Sequence, residues 1–188
     1  MMRLLSLLAG GLLLVYPLAV YWGLTHWGGS ALLVILMVTF ALRLLPGSAP
    51  RREWLLLGRL LACVGLLLTS LSALFSAQHW LLYYPIAVSL ALLCLFGWSL
   101  TQPMSLVERL ARLQDPDLPP AGVRYTRIVT QVWCGFFVLN GGLAVATVWY
   151  GDLALWSLYN GLLSYLLMAL LMAGEYLVRR RVKRRFAA

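Results

Sequence analysis

Long apolar stretches separated by short polar breaks dominate the chain, and their lengths predict helices that cross a membrane. Leu4 to Trp22 is the first such run. It ends in Tyr21-Trp-Gly-Leu-Thr-His-Trp-Gly-Gly29 and lacks a small-residue cleavage site, so a retained span is expected in place of a cleaved signal peptide. Beyond a Gly28-Gly29-Ser30 turn, Ala31 to Leu45 makes a second, shorter span that stops at Pro46-Gly47. Trp54 to Phe75 and Leu81 to Leu100 follow, with Ser76-Ala-Gln-His79 between them. Ile128 to Tyr150 is the fifth and Leu153 to Val178 the sixth, divided by Gly151-Asp152. The expected fold class is therefore all-α: a polytopic membrane bundle of six transmembrane helices forming one membrane domain over residues 1–188.

Residues 101–127 break the pattern. They carry charge, three prolines from Pro116 to Pro120, and a segment in which Leu106, Val107, Leu110, Ala111 and Leu113 recur near helical spacing. Glu108 and Arg112 stand four residues apart, as an ion pair along one helix face requires. A short helix at the membrane surface is expected here, and a basic tail over 179–188 closes the chain.

Composition agrees with this picture and excludes others. Of 188 residues, 62% are hydrophobic and 11% charged, with a mean hydropathy of +0.86. A soluble domain carries about 25% charge, so a soluble enzyme, a disordered chain and a disulfide scaffold are all excluded. The net charge of +9 comes from 15 Lys and Arg against 6 Asp and Glu. These cations sit beside apolar runs, where anionic phospholipid is the nearer partner and nucleic acid is not expected. With six spans, all 15 fall on one side, that of the termini, residues 43–59, the 101–127 loop and the tail. The positive-inside rule then puts both termini in the cytoplasm. Trp22, Trp27, Trp80, Tyr83, Tyr84, Trp149, Tyr150 and Trp156 gather near the outer ends, where an aromatic belt is expected.

Polar groups inside apolar runs are the first candidates for chemistry, because burying them in hydrocarbon is costly. Asn140 lies beside Gly141-Gly142 in the fifth span, and Asn160, followed by Gly161 and Ser164, lies in the sixth. These amides can simply bond between close-packed helices, or they can line a polar site that grips a lipid. Glu175 is one turn before Arg179, consistent with an interfacial ion pair, and Arg59 can snorkel from the third span. Cys63, Cys94 and Cys134 have no metal or disulfide spacing, His26 and His79 lack a third ligand, and no metal or other cofactor is expected. In the cytoplasmic segment Arg109, Arg112, Arg124, Tyr125 and Arg127 offer a docking surface for a partner or for lipid phosphates.

Several of these residues, taken in order, carry a resemblance. Pro103, the 106–113 helix, Leu118-Pro119, Tyr125-Thr-Arg127, Trp133, Phe136-Phe137, Gly141-Gly142 and Trp156 together resemble the intracellular septation protein A family of small bacterial inner-membrane proteins. The strings Leu113-Gln-Asp-Pro-Asp-Leu-Pro-Pro120, Val132-Trp-Cys-Gly-Phe-Phe137 and Trp156-Ser-Leu-Tyr-Asn-Gly161 are more similar to an uncharacterised relative found with aryl-polyene and fatty-acid-synthase-like gene sets. The specific part covers about half of the chain, and neither family offers a catalytic residue to carry over. The resemblance implies an accessory or scaffold protein of cell-envelope or polyene-lipid biogenesis, working with another membrane or cytoplasmic protein, and an oligomer is compatible with it. A lipid-handling enzyme or carrier with a polar site between spans five and six is the alternative.

Overall fold

The computed structural model describes residues 16–26, 30–44, 52–75, 78–113 and 115–186. Among them every regular element is helical and no strand occurs. The order is α1 (Tyr16–His26), α2 (Ser30–Leu44), α3 (Arg52–Leu74), a 3₁₀ turn (Gln78–Tyr83), α4 (Tyr84–Leu100), α5 (Leu106–Ala111), α6 (Pro120–Tyr150), α7 (Leu153–Leu158), a π-helical turn (Tyr159–Leu163) and α8 (Ser164–Phe186). Three stretches are long and apolar enough to cross a membrane: His79–Leu100, Pro120–Tyr150 and Leu153–Arg181. Ala31–Leu42 and Gly58–Leu74 are shorter apolar helices. The 15 residues of α2 reach only ~22 Å at ~1.5 Å per residue, less than the ~30 Å hydrocarbon core. Most of the expected first span, the glycines of the expected 28–30 turn and the Pro46-Gly47 stop lie outside the described residues.

Helix boundaries follow from local chemistry. Proline favours the first helical position and pushes the residue before it into extended backbone. Pro119 accordingly has φ −68° and ψ 158°, and α6 starts at Pro120. This corrects the expected 101–127 loop: the interhelical segment ends at Pro119, and Arg124, Tyr125 and Arg127 ride on the first turns of a 31-residue helix. Their polarity hides the start because a helix that leaves the hydrocarbon no longer needs an apolar face. At its other end α6 stops at Gly151, whose φ of 81° suits glycine. Asp152 then caps α7, its Oδ1 accepting from the amides of Ala154 (2.7 Å) and Leu155 (3.1 Å). The expected tail is helical as well, since α8 runs on to Phe186.

Two apolar centres hold the helices. In one, the Phe40 ring of α2 lies over Gly65 of α3 and stacks at a tilt on Tyr84, 5.1 Å between centroids, with Tyr16, Leu36 and Trp156 around it. In the other, Phe96 of α4 meets Phe137 of α6 edge-on at 5.1 Å, beside Trp133 and Leu106. Halfway along, a Cβ on Gly141 would stand only 3.2 Å from that of Ser89, so glycine lets α4 and α6 approach closely. Tyr84 and Trp156, expected in an interfacial belt, are instead buried, at 4% and 1% exposure. Their place near the span ends suggested the membrane boundary, but Tyr84 packs against the rings of Tyr16 and Phe40, and the Trp156 indole N–H joins α7 to the turn before α4. Trp22, Trp149 and Tyr150 are exposed.

Candidate functional site

Pro85 determines how the site begins. A proline has no amide hydrogen, so the carbonyl four residues earlier, that of Leu81, loses its helical donor. The Tyr16 hydroxyl donates to it at 2.9 Å, and Trp156 Nε1 donates to the next carbonyl, that of Leu82, at 3.1 Å. Two distant segments, α1 and α7, are thereby tied to the start of α4.

Below this knot lies a cavity of about 390 Å³. Tyr16, Pro17, Tyr84 and Pro85 form its upper wall, while Gly58, Leu61, Val88, Leu92, Phe136, Phe137 and Met168 supply apolar lining. Ser89, Asn140, Asn160, Ser164 and Tyr165 add polar groups without charge. Asn140 Nδ2 donates to Ser89 Oγ at 3.1 Å, and Asn140 Oδ1 accepts from the Tyr159 hydroxyl at 3.0 Å. This amide is therefore an interhelical bridge, one of the two expected roles, and it also lines the cavity.

Asn160 is set by the π-helical turn. The amide of Ser164 reaches back to the Tyr159 carbonyl, one residue further than in an α-helix. The Asn160 carbonyl that it bypasses is covered by the Ser164 hydroxyl at 3.0 Å. Such turns widen a helix and reset which side chains face inward. Tyr159 and Asn160 are consecutive and both buried, at 7% and 3% exposure. Asn160 Nδ2 donates to Trp156 O (2.9 Å) and Thr147 Oγ1 (3.3 Å), whereas its Oδ1 is buried with no hydrogen-bond partner.

The residues expected to dock a partner are brought to the opposite end of the bundle from this knot. The Arg112 guanidinium holds Glu108 through Nε and Nη2, both 3.0 Å from Oε1, and donates through Nη1 to Pro116 O at 2.9 Å. The expected pair thus exists, with its carboxylate residue buried at 3% exposure. Ser105 caps α5 by accepting from the Glu108 amide, and Ser99 Oγ accepts from the Leu106 amide at 3.0 Å. Arg109 Nε donates to Met104 O at 3.2 Å, and Arg127 donates to Leu100 O at the end of α4, 2.6 Å away. The Tyr125 hydroxyl meets both the carbonyl and the carboxylate of Glu175, each at 3.2 Å. Glu175 therefore joins α6 to α8, a contact that spacing along one helix did not suggest. Arg124 is exposed.

Arg59 follows Gly58 on α3 and is exposed. Cys63 and Cys94 are exposed and Cys134 is half-buried. His26 stacks on Trp22 at 4.2 Å. Among the described residues no three of His, Cys, Asp and Glu are grouped to hold a metal ion. Ser89, Tyr159 and Tyr16 belong to the site but were not singled out from the sequence. Hydroxyls are frequent in apolar runs, and the one local sign was Pro85, which leaves a carbonyl in need of a donor. No family model, curated protein or solved structure matches the chain.

Proposed function

We propose that the chain is a small accessory protein of the bacterial inner membrane that holds a lipid chain, supporting cell-envelope or polyene-lipid biogenesis. The observation that carries this reading is the cavity: about 390 Å³, walled by aliphatic and aromatic side chains, with amides and hydroxyls gathered at the Asn140–Asn160 side. Ligand sites generally combine apolar walls with a few placed polar groups in this way. Holding is favoured over transforming, because the polar groups of the lining are amides and hydroxyls bonded to one another and to backbone. The septation-protein resemblance supports the envelope setting. Residues 101–127 are the face offered to a cytoplasmic partner, with anionic phospholipid beside it.

Gly58 supplies the test. It lines the cavity, and a Cβ there would meet nothing within 4 Å. Gly58→Leu should fill the space without disturbing the helix, since leucine is a better helix former than glycine. Purified in mild detergent and analysed by native mass spectrometry, the wild-type chain should carry lipid and the variant should have lost it. A wild-type chain that emerges empty would refute the reading.

Six spans with both termini cytoplasmic are part of the same proposal. The Tyr125–Glu175 and Arg127–Leu100 contacts put the basic 101–127 segment and the basic end of α8 at one end of the bundle. That segregation suits the cytoplasmic face. A reporter fused after Ala188 should be active in its cytoplasmic form only, and activity confined to a periplasmic reporter would overturn the orientation.

A further inference from the structure

Among the described residues that line the cavity, one buried polar atom has no hydrogen-bond partner. The hydroxyl hydrogens of Tyr16, Tyr159 and Ser164 are given to Leu81 O, Asn140 Oδ1 and Asn160 O. Both amide hydrogens of Asn160 are also given, to Trp156 O and Thr147 Oγ1. Asn160 Oδ1, on a residue 97% buried by its 3% exposure, accepts nothing. The amide cannot be turned round to cure this, because Trp156 O is an acceptor and would then face another acceptor. Asn160 is among the lining residues, and its Oδ1 has almost no surface open to a water-sized group, so a ligand hydroxyl reaches it with a small shift of the side chain; a bound group that donates there relieves the bare acceptor, and one that only accepts does not.

Charge narrows the ligand further. Among the described residues that line the cavity, none is cationic or anionic, and Arg59, next to Gly58, is exposed. A phosphate or free carboxylate placed there would lose its hydration with no counter-charge in return. The space suits a head group and the start of one chain, with the remainder leaving between helices into the bilayer.

We infer that the cavity selects a neutral long-chain alcohol, a lipid whose free hydroxyl donates to Asn160 Oδ1. This rests on the lipid-holding reading above and names its ligand class. Two sources share that chemistry, a glycerolipid with a free hydroxyl and an isoprenoid alcohol.

The test uses the full chain in detergent micelles, with tritiated dioleoylglycerol as probe and unlabelled competitors. Dioleoylglycerol itself or geranylgeraniol should displace the probe, and the stronger of the two identifies the source. The acetate ester of that competitor, with equal chains but no donor, should bind at least about tenfold more weakly, and dioleoyl phosphatidic acid likewise. Asn160→Leu should erase the preference for alcohol over acetate. The ligand series on wild-type protein stands alone if that variant misfolds. Equal binding of alcohol and acetate, with both lost in Gly58→Leu, would overturn the donor inference and leave lipid holding intact. Phosphatidic acid binding as tightly as the alcohol would overturn the neutral-ligand inference. No saturable binding of any of these lipids would bring down the lipid-holding reading itself.

Discussion

Gly65→Leu is expected to destabilise the protein by about 2–3 kcal/mol, whereas the same change at Gly58, two turns earlier on the same helix, is expected to cost nothing measurable. The two glycines differ in what stands over them. A Cβ on Gly65 would enter the ring of Phe40, whereas a Cβ on Gly58 meets nothing within 4 Å. Phe40 cannot yield, being fully buried and held between Tyr84 at 5.1 Å and Tyr16 at 6.2 Å between centroids. Helix propensity works the other way at both sites, returning at most ~1 kcal/mol when glycine is replaced. Overpacking at Gly65 exceeds that gain, so the sign of the effect reports packing. Thermal unfolding in detergent, followed by tryptophan fluorescence, measures both variants. Combining Gly65→Leu with Phe40→Ala should cost less than the sum of the single changes, since the ring and the new side chain compete for one space. Equal losses at Gly58 and Gly65 would mean that α2 does not lie on α3 as described.

How far the sequence reveals such features depends on the range of the physics involved. The apolar runs that become α4, α6 and α8 are readable because helix burial in hydrocarbon needs only length and composition. The break at Gly151-Asp152 is equally local: a left-handed glycine and a capping aspartate act within four residues. The Glu108–Arg112 pair is visible from spacing for the same reason. The start of α6 at Pro120 was hidden by polar residues that a helix tolerates once it leaves the apolar layer. The π-helical turn was hidden too, because nothing in Tyr-Asn-Gly-Leu-Leu announces a bypassed carbonyl. Asn140 and Asn160 stand out as amides in apolar runs, yet the cavity between them comes from five separated segments and has no local sequence mark. Tyr84 and Trp156 show the limit most plainly: aromatic residues near span ends suit a lipid interface or a core equally well, and contacts distant in sequence, Tyr84 against the rings of Tyr16 and Phe40 and the Trp156 indole on the Leu82 carbonyl, decide for the core.

Arg112→Ala is expected to open the 101–119 segment and to cost about 1–3 kcal/mol, the penalty for leaving a buried carboxylate without its donor. Glu108 is 3% exposed and receives two of the Arg112 N–H groups, while a third reaches Pro116 O. One guanidinium thus closes α5 onto the proline turn. Arg112 itself is about one-third exposed at its side chain, which lets water reach the vacated space and keeps the loss below that of a fully enclosed pair. Replacing both Glu108 and Arg112 by leucine should restore most of the stability, because the buried charge leaves together with its partner. Hydrogen exchange over residues 101–119 measures the opening directly. These bonds also change what an arginine test of docking can mean. Lysine at position 112 or 127 keeps the charge but loses the planar fork that serves Glu108, Pro116 and Leu100, so lost activity there would report a loosened segment as readily as a lost partner. Arg124 is exposed on the first turns of α6 and separates the two. If this face docks a partner, Arg124→Ala should lower activity in cells while leaving exchange over 101–119 unchanged. Should Arg124→Ala keep full activity while Arg112→Ala loses both activity and protection, the arginines of this end would be structural, and the docking face would have to be sought elsewhere on the bundle.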